Sequence, residues 1–173
     1  MAHRQQHYEA AFEDYLRTRG WPYVAVDQAK KAIFADVSIK SFDFLVYSSS
    51  GPNLLVDVKG RKFPDSLPGR KRGAYRAWEN WITRGDVEGL REWQRVFGPD
   101  FIAVLVFAYW LQGPARSSPF EDLHVFRQRQ YAFAAITLED YVAAAQPRSR
   151  KWQTVAMPGA LFARQASDIA AFL

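Results

Sequence analysis

The 173-residue sequence contains no cysteine, which excludes a disulfide framework, a zinc ribbon and a cysteine nucleophile together. It also lacks a long apolar run. The longest, residues 101–113, falls short of the roughly 20 residues that a membrane-spanning helix requires. Residues 1–6 are polar and lead straight into a patterned helix, so they do not read as a signal peptide, and the cytoplasm is the default expectation, with no membrane partner. There is no internal repeat and no low-complexity tract. No stretch matches a phosphate-binding glycine loop, a dinucleotide fingerprint or a nucleophile elbow. His3 and His124 have no metal-ligating neighbours at a recognisable spacing.

What remains is a chain with 49% hydrophobic and 24% charged residues, a balance suited to a globular fold and long enough to build a core. A single domain over residues 1–173 is the working organisation. Lysine and arginine number 23 against 18 acids, a net charge of +5, which favours an anionic partner. The surplus is concentrated in residues 59–76, where Lys59, Arg61, Lys62, Arg70, Lys71, Arg72 and Arg76 face one acid, Asp65. Pro64, Pro68, Gly69 and Gly73 mark a loop, so residues 61–85 read as a basic insertion. Tyr75, Trp78 and Trp81 follow. Cations beside aromatics suit a phosphate backbone and unstacked bases; a solvated loop whose aromatics pack into the core is the alternative. Trp93 is assigned to the core, and Trp78 and Trp81 are left open.

Residues 7–19 show helical periodicity, with Tyr8, Ala11, Phe12, Tyr15 and Leu16 on one stripe. Gly20 and Pro22 end it. Glu9 borders that stripe, so it is the acid of this helix expected to look inward. Strand-like runs follow at residues 23–26, 33–39, 42–47 and 54–59, the last two around a Ser-Ser-Ser-Gly-Pro turn. Residues 86–97 read as a helix closed by Gly98 and Pro99. Residues 101–110 form an unbroken apolar run, the pattern of a strand buried on both faces. The tail predicts a hairpin from residues 123–126 and 131–136 and a helix over 138–146 capped by Thr137. A strand over 152–157 and a closing helix over 166–173 complete it.

Asp43 and the run Asp57-Val58-Lys59 are the most specific chemical feature. Side chains alternate along a strand, so Asp57 and Lys59 share a face while Leu54, Val56 and Val58 take the other. A hairpin centred on Ser50 pairs residues whose numbers sum to 100, which sets Asp43 opposite Asp57 with Cβ atoms about 5 Å apart. Two carboxylates that close repel by roughly 3 kcal/mol at an effective dielectric near 20. A cation between them removes that penalty. Two carboxylates, the Val58 carbonyl and several waters make a reasonable Mg²⁺ site.

Asp43, then Asp57-Val58-Lys59 after a hairpin, resembles the PD-(D/E)XK nuclease superfamily, whose restriction-endonuclease-like core runs αβββαβ. The order of elements above is similar to that core, and residues 55–60, Leu-Val-Asp-Val-Lys-Gly, look like the resolvase and repair branches. Phe42 stands where the family name has proline, and Asp57 takes the acid position more often filled by glutamate. The resemblance spans residues 8–110 and leaves 120–173 as a strand-rich C-terminal extension. It implies an α/β fold with a mixed central sheet. It also implies a Mg²⁺-dependent nuclease, with Mn²⁺ able to substitute, that acts on nucleic acid, DNA in preference to RNA. By position it implies Glu9, Asp43 and Asp57 as metal ligands with Val58, Lys59 as the residue beside the attacked phosphate, and Gln94 as the polar helix residue that positions it. Arg61, Lys62, Arg70, Lys71, Arg72 and Arg76 are the matching nucleic-acid contacts. Many such nucleases pair to cut two strands, so a homodimer is one expected arrangement. Two other readings stay open: a nucleic-acid-binding module that has lost catalysis, and a basic protein-interaction domain.

Overall fold

The computed structural model describes residues 3–26, 40–64, 78–115 and 118–173, with side chains of the first helix from His7 on. The strand expected over residues 33–39 and the cations Arg70, Lys71, Arg72 and Arg76 lie outside the described residues, as does Tyr75.

Helix α1 (His3–Arg19) buries the stripe foreseen from its periodicity: Ala11, Phe12 and Leu16 are fully covered and Tyr8 and Tyr15 nearly so. It packs on a six-stranded sheet of order β1-β2-β3-β5-β7-β6. The strands are β1 (Tyr23–Ala25), β2 (Phe44–Val46), β3 (Asn53–Phe63), β5 (Phe101–Leu111), β6 (His124–Phe126) and β7 (Arg129–Thr137). The pairs β1–β2 and β2–β3 are antiparallel, β3–β5 is parallel, and β5–β7 and β7–β6 are antiparallel. The parallel pair needs a crossover, which α2 (Arg84–Phe97) supplies.

Alternation along β3 separates two cores. Leu54, Val56 and Val58 meet α1 on one face, while Leu55 and Phe63 meet Val87 and Leu90 of α2 on the other. From Ala103 to Tyr109, β5 is buried on both faces, which is why its sequence is apolar without alternation. The tail is part of the same body, since β7 adds to the far edge of β5 through seven paired positions. Its connection to β6 is a two-residue turn with Arg127 and Gln128 at φ 47° and 62°, the left-handed pair that a tight hairpin demands.

A second sheet of three strands sits beside α2: β4 (Ile82–Thr83), β9 (Thr154–Ala156) and β8 (Gln146–Ser149), in the order β4-β9-β8. Thr137 caps α3 (Leu138–Ala144), as its sequence predicts. Three tail elements differ from expectation, the first being β8, since no strand was foreseen over residues 146–149. A short helix, α4 (Gly159–Gln165), stands where none was foreseen, and the closing helix is one 3-10 turn, Ile169–Phe172. Seven residues starting after Pro158 are too few for a periodic pattern to register. No helix among the described residues is long and apolar enough to cross a membrane.

Candidate active site

The β2–β3 hairpin takes the expected register. Phe44 pairs with Val56, Leu45 with Leu55 and Val46 with Leu54, the register in which paired numbers sum to 100, and the ladder ends at Phe44, one residue before Asp43. Asp43 sits where β2 begins. Its N–H donates to the Val56 carbonyl at 2.8 Å, and its Oδ2 accepts from the Val58 N–H at 2.8 Å. Val58 therefore meets Asp43 through its amide. Both carboxylates are buried, with 7% and 5% exposure.

Lys59 shares the face of Asp57, two residues along. Its Nζ lies 2.8 Å from Asp57 Oδ2 and 3.3 Å from Asp86 Oδ1. Asp86 is the acid that sequence reasoning missed. It belongs to the first turn of α2, where Thr83 and Asp86 form a capping box. The Asp86 amide donates to Thr83 Oγ1, and the Thr83 amide and hydroxyl donate to Asp86 Oδ2 at 2.7 Å each. Lys40 adds a second cation, 3.1 Å from Asp86 Oδ1. The chain at Lys40 is itself held on α2: Trp93 Nε1 donates to its carbonyl at 3.1 Å. A side chain at Gly89 would press on that same carbonyl, so only glycine lets the two backbones meet there. The signal in the sequence was Thr83-x-x-Asp86, a capping-box spacing just before an apolar run.

Charge is thus graded across the cluster. Burial raises the Asp57 carboxyl to about 7, opposed by Lys59 and reinforced by Asp43. Burial alone would discharge Lys59, but Asp57 and Asp86 outweigh it and hold the ammonium above its ordinary range. Asp86 pays its burial too, yet Lys59, Thr83 and Lys40 pull it down to about 2. Lys59 and Asp86 are held toward their charged forms, and burial works against the charge on Asp57.

The donor chemistry of the acid pair fits a hard divalent cation, because Mg²⁺ keeps most of its waters and takes only one or two carboxylates from the protein. Asp57 Oδ2 is buried without an aligned hydrogen bond, its near neighbour being the Lys59 charge. Among the described residues no group of three or more His, Cys, Asp and Glu forms a metal cage, so the arrangement is of the two-carboxylate kind. Glu9 is half-buried on α1, the helix that covers the face of β3 opposite Asp57 and Lys59.

Two other expected site residues are placed elsewhere. Gln94 turns away from Lys59, and its Oε1 accepts from the Ala103 N–H at 2.7 Å. Eight residues beyond Asp86, it lies about 12 Å further along the helix, level with Leu55 rather than Lys59. Its contact fixes the α2–β5 junction. Arg61 is not on an exposed loop, because β3 runs on to Phe63. It is buried, with Nη1 bonded to the Gly60 carbonyl, Nη2 to the Trp81 carbonyl and its guanidinium 4.1 Å from the Trp81 ring centroid. Lys62 is exposed, its Nζ 5.4 Å from the Trp110 ring centroid. Trp78 packs among Phe63, Tyr109 and Phe120 in the core, and Trp93 packs edge-on against Phe42.

No protein-family model matches the chain, and no curated protein does. The fold does match a solved structure: Hjc, a Holliday junction resolvase from the archaeal hyperthermophile Archaeoglobus fulgidus, with TM-score 0.54 and 15% identity. The match covers 96% of this chain and 97% of Hjc, so it takes in the tail as well as the residues 8–110 on which the sequence resemblance rests. The chain shares the fold of that structure, restriction-endonuclease-like, with a mixed six-stranded sheet and a small antiparallel sheet beside it.

Proposed function

We propose that this protein is a Mg²⁺-dependent nuclease that hydrolyses phosphodiester bonds in DNA, with Mn²⁺ able to replace Mg²⁺. One observation carries the reading: two buried carboxylates, Asp43 and Asp57, lie close enough to raise one another's charge cost, with a lysine held charged beside Asp57. Lys59 offsets the repulsion on the Asp57 side, and a divalent cation between the two acids would remove what is left. The fold shared with Hjc supports it.

Asp43 and Asp57 would hold the metal, with waters completing the ligands. Bound there, the metal would polarise the scissile phosphate and acidify its water. Lys59 stabilises negative charge that develops on the phosphate oxygens, a role for which its permanent charge in a partly buried site suits it. Asp86 holds Lys59 in place through an ion pair whose acid end is itself fixed by Thr83. Lys62, with Arg70, Lys71, Arg72 and Arg76, would bind the nucleic-acid backbone, giving affinity that falls steeply with salt.

The test is cleavage of end-labelled single-stranded, duplex and branched DNA, and of RNA, with Mg²⁺ or Mn²⁺. The wild type runs beside Asp57→Ala and Asp57→Ala/Lys59→Ala, each checked for folding by circular dichroism. Metal-dependent cutting by the wild type alone supports the reading and identifies the substrate. A folded wild type that binds DNA but never cuts it points to a binding module, and an Asp57→Ala variant that cuts like wild type removes the site.

A further inference from the structure

The tail carries a feature that the nuclease reading does not use. The hairpin joining β8 to β9 reads Gln-Pro-Arg-Ser-Arg-Lys-Trp-Gln over residues 146–153, three cations and no acid. No acid occurs anywhere between Asp140 and Asp168. At the tip, Trp152 is 69% exposed, the most exposed large apolar side chain among the described residues. Lys151 Nζ lies 5.3 Å from its ring centroid.

This tip is held in place. The Trp152 N–H donates to Ser149 Oγ at 3.3 Å, Gln153 takes a left-handed φ of 48°, and the Gln153 carbonyl accepts from the Arg84 N–H at 2.9 Å. Arg84 opens α2, two residues before Asp86, and β9 pairs through Thr154 with the capping residue Thr83. Arg148 lies 5.4 Å from the centroid of the Trp81 ring that Arg61 also covers. Arg61 shares the strand face of Asp57 and Lys59. The hairpin is therefore tied to the same side of the sheet as the acid–lysine cluster, through the short elements that position Asp86.

We propose that the β8–β9 tip is a DNA contact that recognises an unpaired base, the Trp152 indole stacking on it while Arg148, Arg150 and Lys151 meet the phosphates on either side. The choice of DNA as partner rests on the nuclease reading above. An exposed indole among cations, on a turn whose backbone is pinned, suits a nucleotide, which offers a planar ring and an anion within one unit. A base in intact duplex has both faces covered by its neighbours, so the contact favours gapped, single-stranded or branched DNA over continuous duplex.

The experiment measures fluorescence anisotropy of labelled DNA without divalent metal, so that binding is read apart from cleavage. A continuous duplex is compared with the same duplex carrying a short single-stranded gap, for wild type, Trp152→Ala, Trp152→Phe and Arg150→Ala/Lys151→Ala. Trp152→Ala is expected to weaken binding to gapped DNA by about 5- to 150-fold, the range for loss of one stacked base. Its binding to continuous duplex changes little, and Trp152→Phe keeps most of the preference. The double charge variant weakens both and flattens the salt dependence. Wild-type binding without preference for the gap, no binding of either DNA at low salt, or equal affinities for Trp152→Ala and wild type would overturn the proposal. Cleavage by the wild type with Mg²⁺, measured separately, tells failure of this contact from failure of the nuclease reading.

Discussion

Lys59 Nζ lies 3.3 Å from Asp86 Oδ1, and this contact joins the strand that carries the acid pair to the first turn of the crossover helix. A lysine beside Asp57 alone would have one acid to hold it. With Asp86 on its other side, it is fixed from two elements far apart in the chain, and the helix start becomes part of the site.

Asp86 gives a clear pH signature. Its carboxyl falls from 3.8 to about 2 on folding, so its stabilising contribution is fully present above pH 3.8 and is lost as pH falls through 2. The size is about 2 kcal/mol. Urea denaturation should show the wild type losing stability over that acid range and Asp86→Asn losing less of it, while already weaker at neutral pH. An identical acid limb in both proteins would contradict the ion pair.

Asp57 has the opposite sign. Burial raises its carboxyl to about 7, so the metal-free fold prefers it protonated and loses stability as pH rises from about 4 to 7. Asp57→Asn should remove that decline. Mg²⁺ at pH 8 should then raise the melting temperature of the wild type by mass action and leave Asp57→Asn unmoved. A variant that Mg²⁺ stabilises as well as wild type would place the metal elsewhere.

Gly60 sits under the Tyr8 ring, and a Cβ there would overlap three of its ring atoms. Gly60→Ala should therefore push α1 off the end of the Asp-x-Lys run and cost about 1–3 kcal/mol, the usual range for overpacking. Tyr8→Ala leaves a cavity by itself, but adding Gly60→Ala to it should cost far less than in the wild type. Thermal melts of the four proteins measure that coupling.

Local pattern carried much of this structure. The α1 stripe, the sum-to-100 register of the β2–β3 hairpin and the doubly buried β5 all follow from periodicity and turn position, which are properties of neighbouring residues. The contact of Lys59 with Asp57 came with them, because alternation along one strand puts the two on the same face. Asp86 and Gln94 differ in kind. Which turn of α2 meets Lys59 depends on where the helix starts relative to β3, and that phase is set by the crossover. Starting the helix at Asp86 hid its capping role and moved attention two turns along to Gln94. Arg61 was placed on a loop because the strand pattern was read only to residue 59, whereas β3 runs on to Phe63.

Arg61 and Arg150 should separate packing from nucleic-acid contact. Arg61 is buried, its guanidinium bonded to the Gly60 and Trp81 carbonyls and stacked on the Trp81 ring. Arg61→Ala leaves both carbonyls without that donor and opens space beside the indole, so it should cost about 1–3 kcal/mol of stability. Contributing no free phosphate contact, it should leave the slope of log affinity for DNA against log salt unchanged at a temperature where the variant is folded. Arg150→Ala lies in the exposed β8–β9 turn, so it should hardly move the melting temperature and should reduce that slope by about one. A salt slope lowered by Arg61→Ala and untouched by Arg150→Ala would reverse the two assignments and put the phosphate path along β3.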